Sequence, residues 1–385
     1  MRAVVVWVLG FGIAGAGWTA ENGAPSPPNA IELNNRAVRL AKEAHYAEAE
    51  ALYRASLDAW SQAGNGLSTR RDRARTSENL GALLRDIGRY PEAQKALTVA
   101  VAELEETTGK SSPDVGEALE NLGALYRAMG DLDQAEASAL RADGILQEPE
   151  RTNNRILLGA IYTEQRRFAE ARAIMAPALP GSSGKLGFAL NANLAAVALA
   201  EHDFSEAERF TLAAFNLASS NLEPNNVALA ALYSNMGQVY RFQERYEEAE
   251  RAYRKAIDMW TAARGATHPY VGSGLMNLAA FEHERGRDHA AEDLYRRAAD
   301  ILDRGLGADS LQTLVARNEL GEVLRAEKRY VASEQLSRAT LPLLQKLLPA
   351  NDPRVVRAET NYLHLLADTK RQAQAAVLAK GLGLR

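Results

Sequence analysis

The sequence predicts an all-α solenoid of antiparallel helix pairs, on three observations. Small residues return at a fixed beat, a second small residue follows each at a constant distance, and an apolar slot lies between the two. The beat falls at Ala37, Gly81, Gly123, Gly159, Ala195, Gly237, Ala279 and Gly321, with Leu363 as a weaker ninth member. Neighbouring anchors differ by 44, 42, 36, 36, 42, 42, 42 and 42 residues. A period of this size is the signature of a repeat architecture in which each unit is one supersecondary element.

Twelve residues beyond each anchor stand Ala49, Ala93, Ala135, Ala171, Ala207, Ala249, Ala291, Ser333 and Ala375, all of them small. Nine residues beyond stand Tyr46, Tyr90, Leu132, Phe168, Phe204, Tyr246 and Tyr330, with Asp288 and Gln372 as departures. Two small residues on facing helices let their backbones approach, and the large side chains fill the space beside them. In the stretch from Asn235 to Trp260 this predicts a first helix over Val227 to Gln243 and a second over Tyr246 to Ala262. Between units, Ser112-Pro113, Glu223-Pro224, His268-Pro269 and Asp352-Pro353 each place a residue before a proline suited to the first helical position. One such pair cannot bury its apolar face alone, so the units must stack.

The solenoid is predicted over residues 31–385, with about nine helix pairs. Two units of 36 residues, within about 150–222, are the weaker ones. Pro177 and Pro180 interrupt a second helix there, which predicts a bend or loosened joint, with a harmless short helix as the alternative. The unit over about 352–380 reads as a degenerate C-terminal cap.

Residues 1–20 are a separate object. Met1 and Arg2 precede an uncharged run whose apolar heart, Ala3 to Ile13, fits the h-region of an export signal, with Ala14-Gly15-Ala16 as a small-x-small cleavage site. The alternative is an uncleaved membrane anchor over residues 3–20, which is barely long enough to span a bilayer. Residues 21–30, rich in proline and polar residues, read as a flexible spacer. The expected location is therefore exported, periplasmic or secreted.

The repeat resembles the tetratricopeptide family. Its pattern of a Leu-Gly pair, a tyrosine three on, an alanine in the second helix and an aromatic four later stands as Met236-Gly237, Tyr240, Ala249 and Tyr253, and again as Leu122-Gly123, Tyr126 and Ala135. The usual unit has 34 residues, and the longer beat with a GATHPYV opening at Gly265 to Val271 is similar to the kinesin-light-chain variety. The resemblance implies a right-handed superhelix whose first helices line a concave groove.

At roughly 100° per residue, the first helix carries its core residues on one side of the anchor and a polar face on the other. The residue after the anchor is alanine at Ala82, Ala124, Ala160, Ala196 and Ala280. Two before the anchor stand Asn79, Asn121, Asn193, Asn235 and Asn277, and four after it stand Arg85, Arg127, Arg241 and Arg325. Asparagine offers a donor and an acceptor to an extended peptide, and arginine pairs with carboxylates. These nine residues are the expected peptide-groove contacts, and the partner is a protein or peptide segment of acidic character. The same asparagines could instead tie adjacent helices together.

Catalysis has no visible apparatus. Cysteine is absent, which removes disulfides, thiolate metal sites and a cysteine nucleophile. GSSGKLG, Gly181 to Gly187, fails as a phosphate loop because two residues rather than four separate its glycines and Leu186 follows Lys185. His283 and His289 lie six apart, not at the three-or-four spacing of helical metal ligands, and read as a solvated turn. A formal net charge of −4 supplies no field for nucleic acid. The expectation is a non-catalytic binding scaffold without metal or cofactor. The alternative is a structural subunit of an extracytoplasmic assembly that binds through convex or terminal surfaces.

Overall fold

The computed structural model describes residues 28–43, 45–221 and 227–381. Residues 1–20, most of the expected spacer and the Glu223-Pro224 start signal lie outside them. The spacer was expected to run to Ala30, but helix begins at Pro28. A proline at the first helical position forfeits only an amide that has no intrahelical acceptor anyway.

Among the described residues there are eighteen α-helices and no strand. They pair in chain order and divide after Glu223 into two compact units. The N-terminal unit holds α1 (Pro28–Lys42) with α2 (Tyr46–Gln62), α3 (Leu67–Asp86) with α4 (Tyr90–Thr108), α5 (Pro113–Met129) with α6 (Leu132–Asp143), α7 (Glu150–Glu164) with α8 (Phe168–Met175), and α9 (Gly184–Ala200) with α10 (Phe204–Asn221). The C-terminal unit holds α11 (Val227–Phe242) with α12 (Tyr246–Arg264), α13 (Pro269–Glu284) with α14 (Asp288–Leu306), α15 (Leu311–Ala326) with α16 (Tyr330–Leu347), and α17 (Pro353–Asp368) with α18 (Gln372–Gly381). Helix ends in the Asn235 repeat fall within two residues of the sequence expectation.

The beat works as the spacing predicts. The second small residue is fully buried at Ala49, Ala93, Ala135, Ala171, Ala207, Ala249 and Ala291, and 2% exposed at Ser333. Gly237 shows why the anchor must be small. A Cβ there would sit 2.7 Å from the Tyr253 ring, which is buried and packed 5.9 Å, centroid to centroid, from Phe281. At Gly123 a Cβ would come 3.2 Å from the Ala135 carbonyl oxygen, so here it is backbone that approaches.

Turns and caps use local chemistry. Seven residues after the anchor the chain enters the left-handed region, at Gly88, Gly130 and Gly286 but also at Arg166, His202, Glu244, Lys328 and Lys370. That single residue reverses the chain between the two helices of a pair. At the next helix start, Ser112, His268, Ser310 and Asp352 accept hydrogen bonds from the backbone N–H groups of Val115, Tyr270, Thr313 and Arg354. These caps satisfy amides that have no intrahelical acceptor.

The proline-bearing repeat is shortened as expected: α8 ends at Met175 and a 3-10 turn over Ala176–Ala178 follows. Apolar packing nevertheless continues through it. Leu158, Ile161, Met175, Leu190 and Leu194 belong to one hydrophobic cluster that runs through it, and the division between units falls after Glu223 instead.

Candidate functional site: the first-helix faces

Within each unit, successive first helices touch, as α3 does α5, α5 does α7 and α7 does α9, and as α11 does α13, α13 does α15 and α15 does α17. Successive second helices approach less closely. Shorter spacing on the first-helix side makes it the inner side of each stack. The alanines after the anchors sit on this side; Ala82, Ala160 and Ala196 are buried, while Ala124 and Ala280 are half-buried.

The structure brings several of the expected asparagines into contacts between repeats. Asn79 Nδ2 donates to Asn34 Oδ1 at 3.1 Å, Asn121 Nδ2 to Glu78 Oε1 at 2.8 Å, and Asn277 Nδ2 to Ser234 Oγ at 2.9 Å. In each case the acceptor lies three residues before the anchor of the preceding repeat. Where that place holds Ile156, Asn193 turns back to its own helix and donates to the Ala189 carbonyl at 2.9 Å. Asn193 is buried and Asn235 is half-buried. At Asn79, Asn121 and Asn277 asparagine thus stitches neighbouring first helices, whereas Asn361 Nδ2, whose matching place holds Asn318, makes no such bond.

The arginines follow a second rule. Arg127 pairs with Glu164 at 2.7 Å, Arg241 lies 3.6 Å from Glu284, and Arg325 pairs with Asp368. Each acid lies five residues after the anchor of the next repeat. Ala128 occupies that place opposite Arg85, which binds Asp86 of its own helix at 2.8 Å and donates to Asn121 at 3.2 Å. The Arg241 guanidinium also stacks 4.7 Å from the Phe242 ring centroid. Side-chain exposures of 10% at Arg85, 11% at Arg241, 16% at Arg127 and 21% at Arg325 leave these cations only partly open to solvent.

Sequence reasoning missed an acidic strip on the same face of α3 and α5. Burial first, and then repulsion from Glu117, pushes the Glu78 carboxyl up to about 8, although the Asn121 hydrogen bond opposes the rise. Burial likewise raises Glu120 to about 7, with Glu117 adding to it, and raises Asp72 to about 6. Glu117 itself is raised, by burial and then by Asp114 and Glu150 against the opposing charge of Arg75. The signal was present in the spacing, since Glu78 and Glu120 share the place three before the anchor.

The histidines do not converge. His283 Nδ1 lies 2.6 Å from Asp288 Oδ1, closing the α13–α14 turn, whereas His289 lies 3.9 Å from Glu327. His289, Glu292 and Glu327 do bring ligand-type atoms within 4.8 Å of one another. Arg329 and Arg296 both hold Glu292 at 2.6 Å, so two guanidinium charges already stand where a cation would have to bind.

Helix pairs joined by a one-residue left-handed turn, stacked on a small-residue beat, define a helical-repeat binding fold. The tetratricopeptide repeat pattern matches residues 72–142, 185–262 and 270–346, more than half of the chain, and the chain belongs to that family. No curated protein matches the sequence. Among solved structures, the apo form of the quorum sensor NprR from B. thuringiensis is similar over 82% of this chain and 87% of its own, at 14% identity and a TM-score of 0.55. A Rap protein in complex with Competence and Sporulation Factor is similar over 91% of this chain and 100% of its own, at 15% identity and a TM-score of 0.53. BtubC (BKLC) from P. vanneervenii matches 60% of this chain and 89% of its own at 20% identity, with a TM-score of 0.45. The likeness to NprR and Rap supports the fold.

Proposed function

We propose that the protein is a non-catalytic scaffold that holds a protein or peptide segment against the first-helix faces of its repeats. One observation carries this: in both units the first helices form the inner layer, and that layer combines small residues at Ala124 and Ala280 with half-buried polar groups at Asn79, Asn121, Asn235 and Asn277. Such a surface leaves room for a chain and keeps polar atoms beside it. The asparagines that bridge repeats keep acceptor capacity at Oδ1, so a bridging and a binding role are compatible for Asn79 and Asn277. A Rap protein of similar fold is itself found in complex with Competence and Sporulation Factor, which supports the reading.

Glu164, Glu284 and Asp368 stand beside Arg127, Arg241 and Arg325, so an acidic segment would have to displace an internal carboxylate at each. The arginines alone therefore do not select an acidic partner. Export, with residues 1–20 as the signal, is part of the same proposal. No helix among the described residues is long and apolar enough to cross a membrane.

The test places bulk on the inner face. Ala124→Trp and Ala280→Trp should abolish capture of the partner that the wild-type chain retains, while Val99→Trp on α4, at a residue 45% exposed, should leave it intact. Equal retention by the inner-face variants would refute groove binding. Loss with Val99→Trp alone would favour the structural-subunit alternative.

A further inference from the structure

A second set of charges runs along the turn edge of the stack and is unrelated to the ligand face. Eight residues after the anchor, immediately before each second helix, stands an arginine in most repeats. It reaches back to a glutamate thirteen residues after the preceding anchor. Arg89 binds Glu50 at 2.6 Å and Arg167 binds Glu136 at 2.7 Å. In the C-terminal unit Arg287 lies 3.4 Å from Glu250, Arg329 binds Glu292 at 2.6 Å, and Arg371 binds Glu334 at 2.8 Å.

The exceptions are informative because both partners change together. At the α4–α6 junction the arginine place holds Asp131 and the glutamate place holds Gln94, so no pair forms; Asp131 instead caps the Gln134 amide. At the α8–α10 junction the polarity is inverted. Arg172 occupies the glutamate place and is bound by Glu201 and Glu206, at 2.6 Å for the latter, on either side of Asp203.

We propose that these pairs are an order code, in which the charge at the two places of each junction specifies which repeat stacks on which. Repeats that share one backbone plan and one small-residue beat could otherwise stack in the wrong order or slip by a unit, since their apolar interfaces are alike. A junction of inverted sign rejects a repeat of ordinary sign, which would present arginine to arginine or carboxylate to carboxylate. His45 stands at the arginine place of the first described pair and Ala376 at the glutamate place of the last.

The inverted junction gives the discriminating test. Arg172→Glu restores the residue that most repeats carry, and a consensus change of that kind is ordinarily neutral or stabilising. The code requires the opposite. In the full chain, hydrogen-exchange protection of the α8 and α10 amides should fall roughly tenfold with Arg172→Glu and also fall with Asp203→Arg, which in addition removes a cap. The double variant should recover to within about threefold of wild type, because its arginine and glutamate then match the ordinary junction. An unchanged or raised protection in Arg172→Glu, or a double variant no better than the sum of the singles, would overturn the proposal. Should the single variants fail to fold, the milder cycle of Glu334→Gln and Arg371→Gln supplies the same readout; additive losses there would also overturn it.

Discussion

Replacing Gly237 by alanine should destabilise the C-terminal unit, although alanine is the better helix former. In an open helix the exchange gains about 1 kcal/mol from propensity. Here the new Cβ would lie 2.7 and 2.8 Å from two carbons of the Tyr253 ring and 3.0 Å from a third, where about 3.5–4.0 Å is comfortable. The ring cannot easily yield, being 1% exposed and backed by Phe281. Overpacking of this kind costs about 1–3 kcal/mol, so after the propensity gain is credited the net loss should reach up to about 2 kcal/mol. Gly321 is the control at the same beat in the same unit. A Cβ there would meet nothing closer than 3.6 Å, so Gly321→Ala should gain about 0.5–1 kcal/mol. Hydrogen-exchange protection of the C-terminal-unit amides in the full chain measures both. Equal effects of the two substitutions, or a stabilised Gly237→Ala, would refute the argument that ring packing, not repeat position, sets the requirement.

Glu78→Gln should stabilise the N-terminal unit at neutral pH. Its folded pKa is raised, so the stability linked to its protonation is complete below about 4.5 and is lost progressively as pH rises towards about 8. Glutamine keeps an acceptor for Asn121 without the charge, and the expected gain is about 1–3 kcal/mol at pH 7, vanishing near pH 4. Thermal unfolding of variant and wild type across that range checks both sign and window. Asp352→Ala, which removes the cap at the α17 start, should cost about 1 kcal/mol and lower protection first in α17, as read by hydrogen exchange.

Much of this architecture was legible because the beat constrains backbone distance, and only small residues satisfy it. Ser333 fits the same rule by a different route: its hydroxyl donates to the Gly321 carbonyl at 2.7 Å, so a polar residue is buried with its partner across the pair. The reversals were harder to read. Glu244, Lys328 and Lys370 sit in the left-handed region that glycine usually occupies, held there by the flanking helices rather than by their own preference. The face of Asn79 and Arg127 was found from the helical wheel, but its partners were not, because a wheel describes one helix and these contacts join two. Comparing places between neighbouring repeats supplies them: the residue three before the preceding anchor for asparagine, and five after the next anchor for arginine. The carboxylates of Glu78 and Glu120 were overlooked although they share one place in the repeat, since that coincidence marks them as a pair without separating a solvated charge from a buried one.

Anchor residues bring the two helices of a repeat into near contact, and the absence of native cysteine allows that contact to be measured directly. A Cβ at Gly321 would stand 3.6 Å from the Leu336 Cβ, inside the window of about 3.5–4.5 Å that a disulfide needs. The Gly321→Cys, Leu336→Cys chain should close almost completely to an intramolecular disulfide under mild oxidation, and Gly321→Cys paired with Arg338→Cys should not. Free thiols or only intermolecular dimers in the first variant would contradict the packing on which the proposed ligand face and the proposed order code both rest.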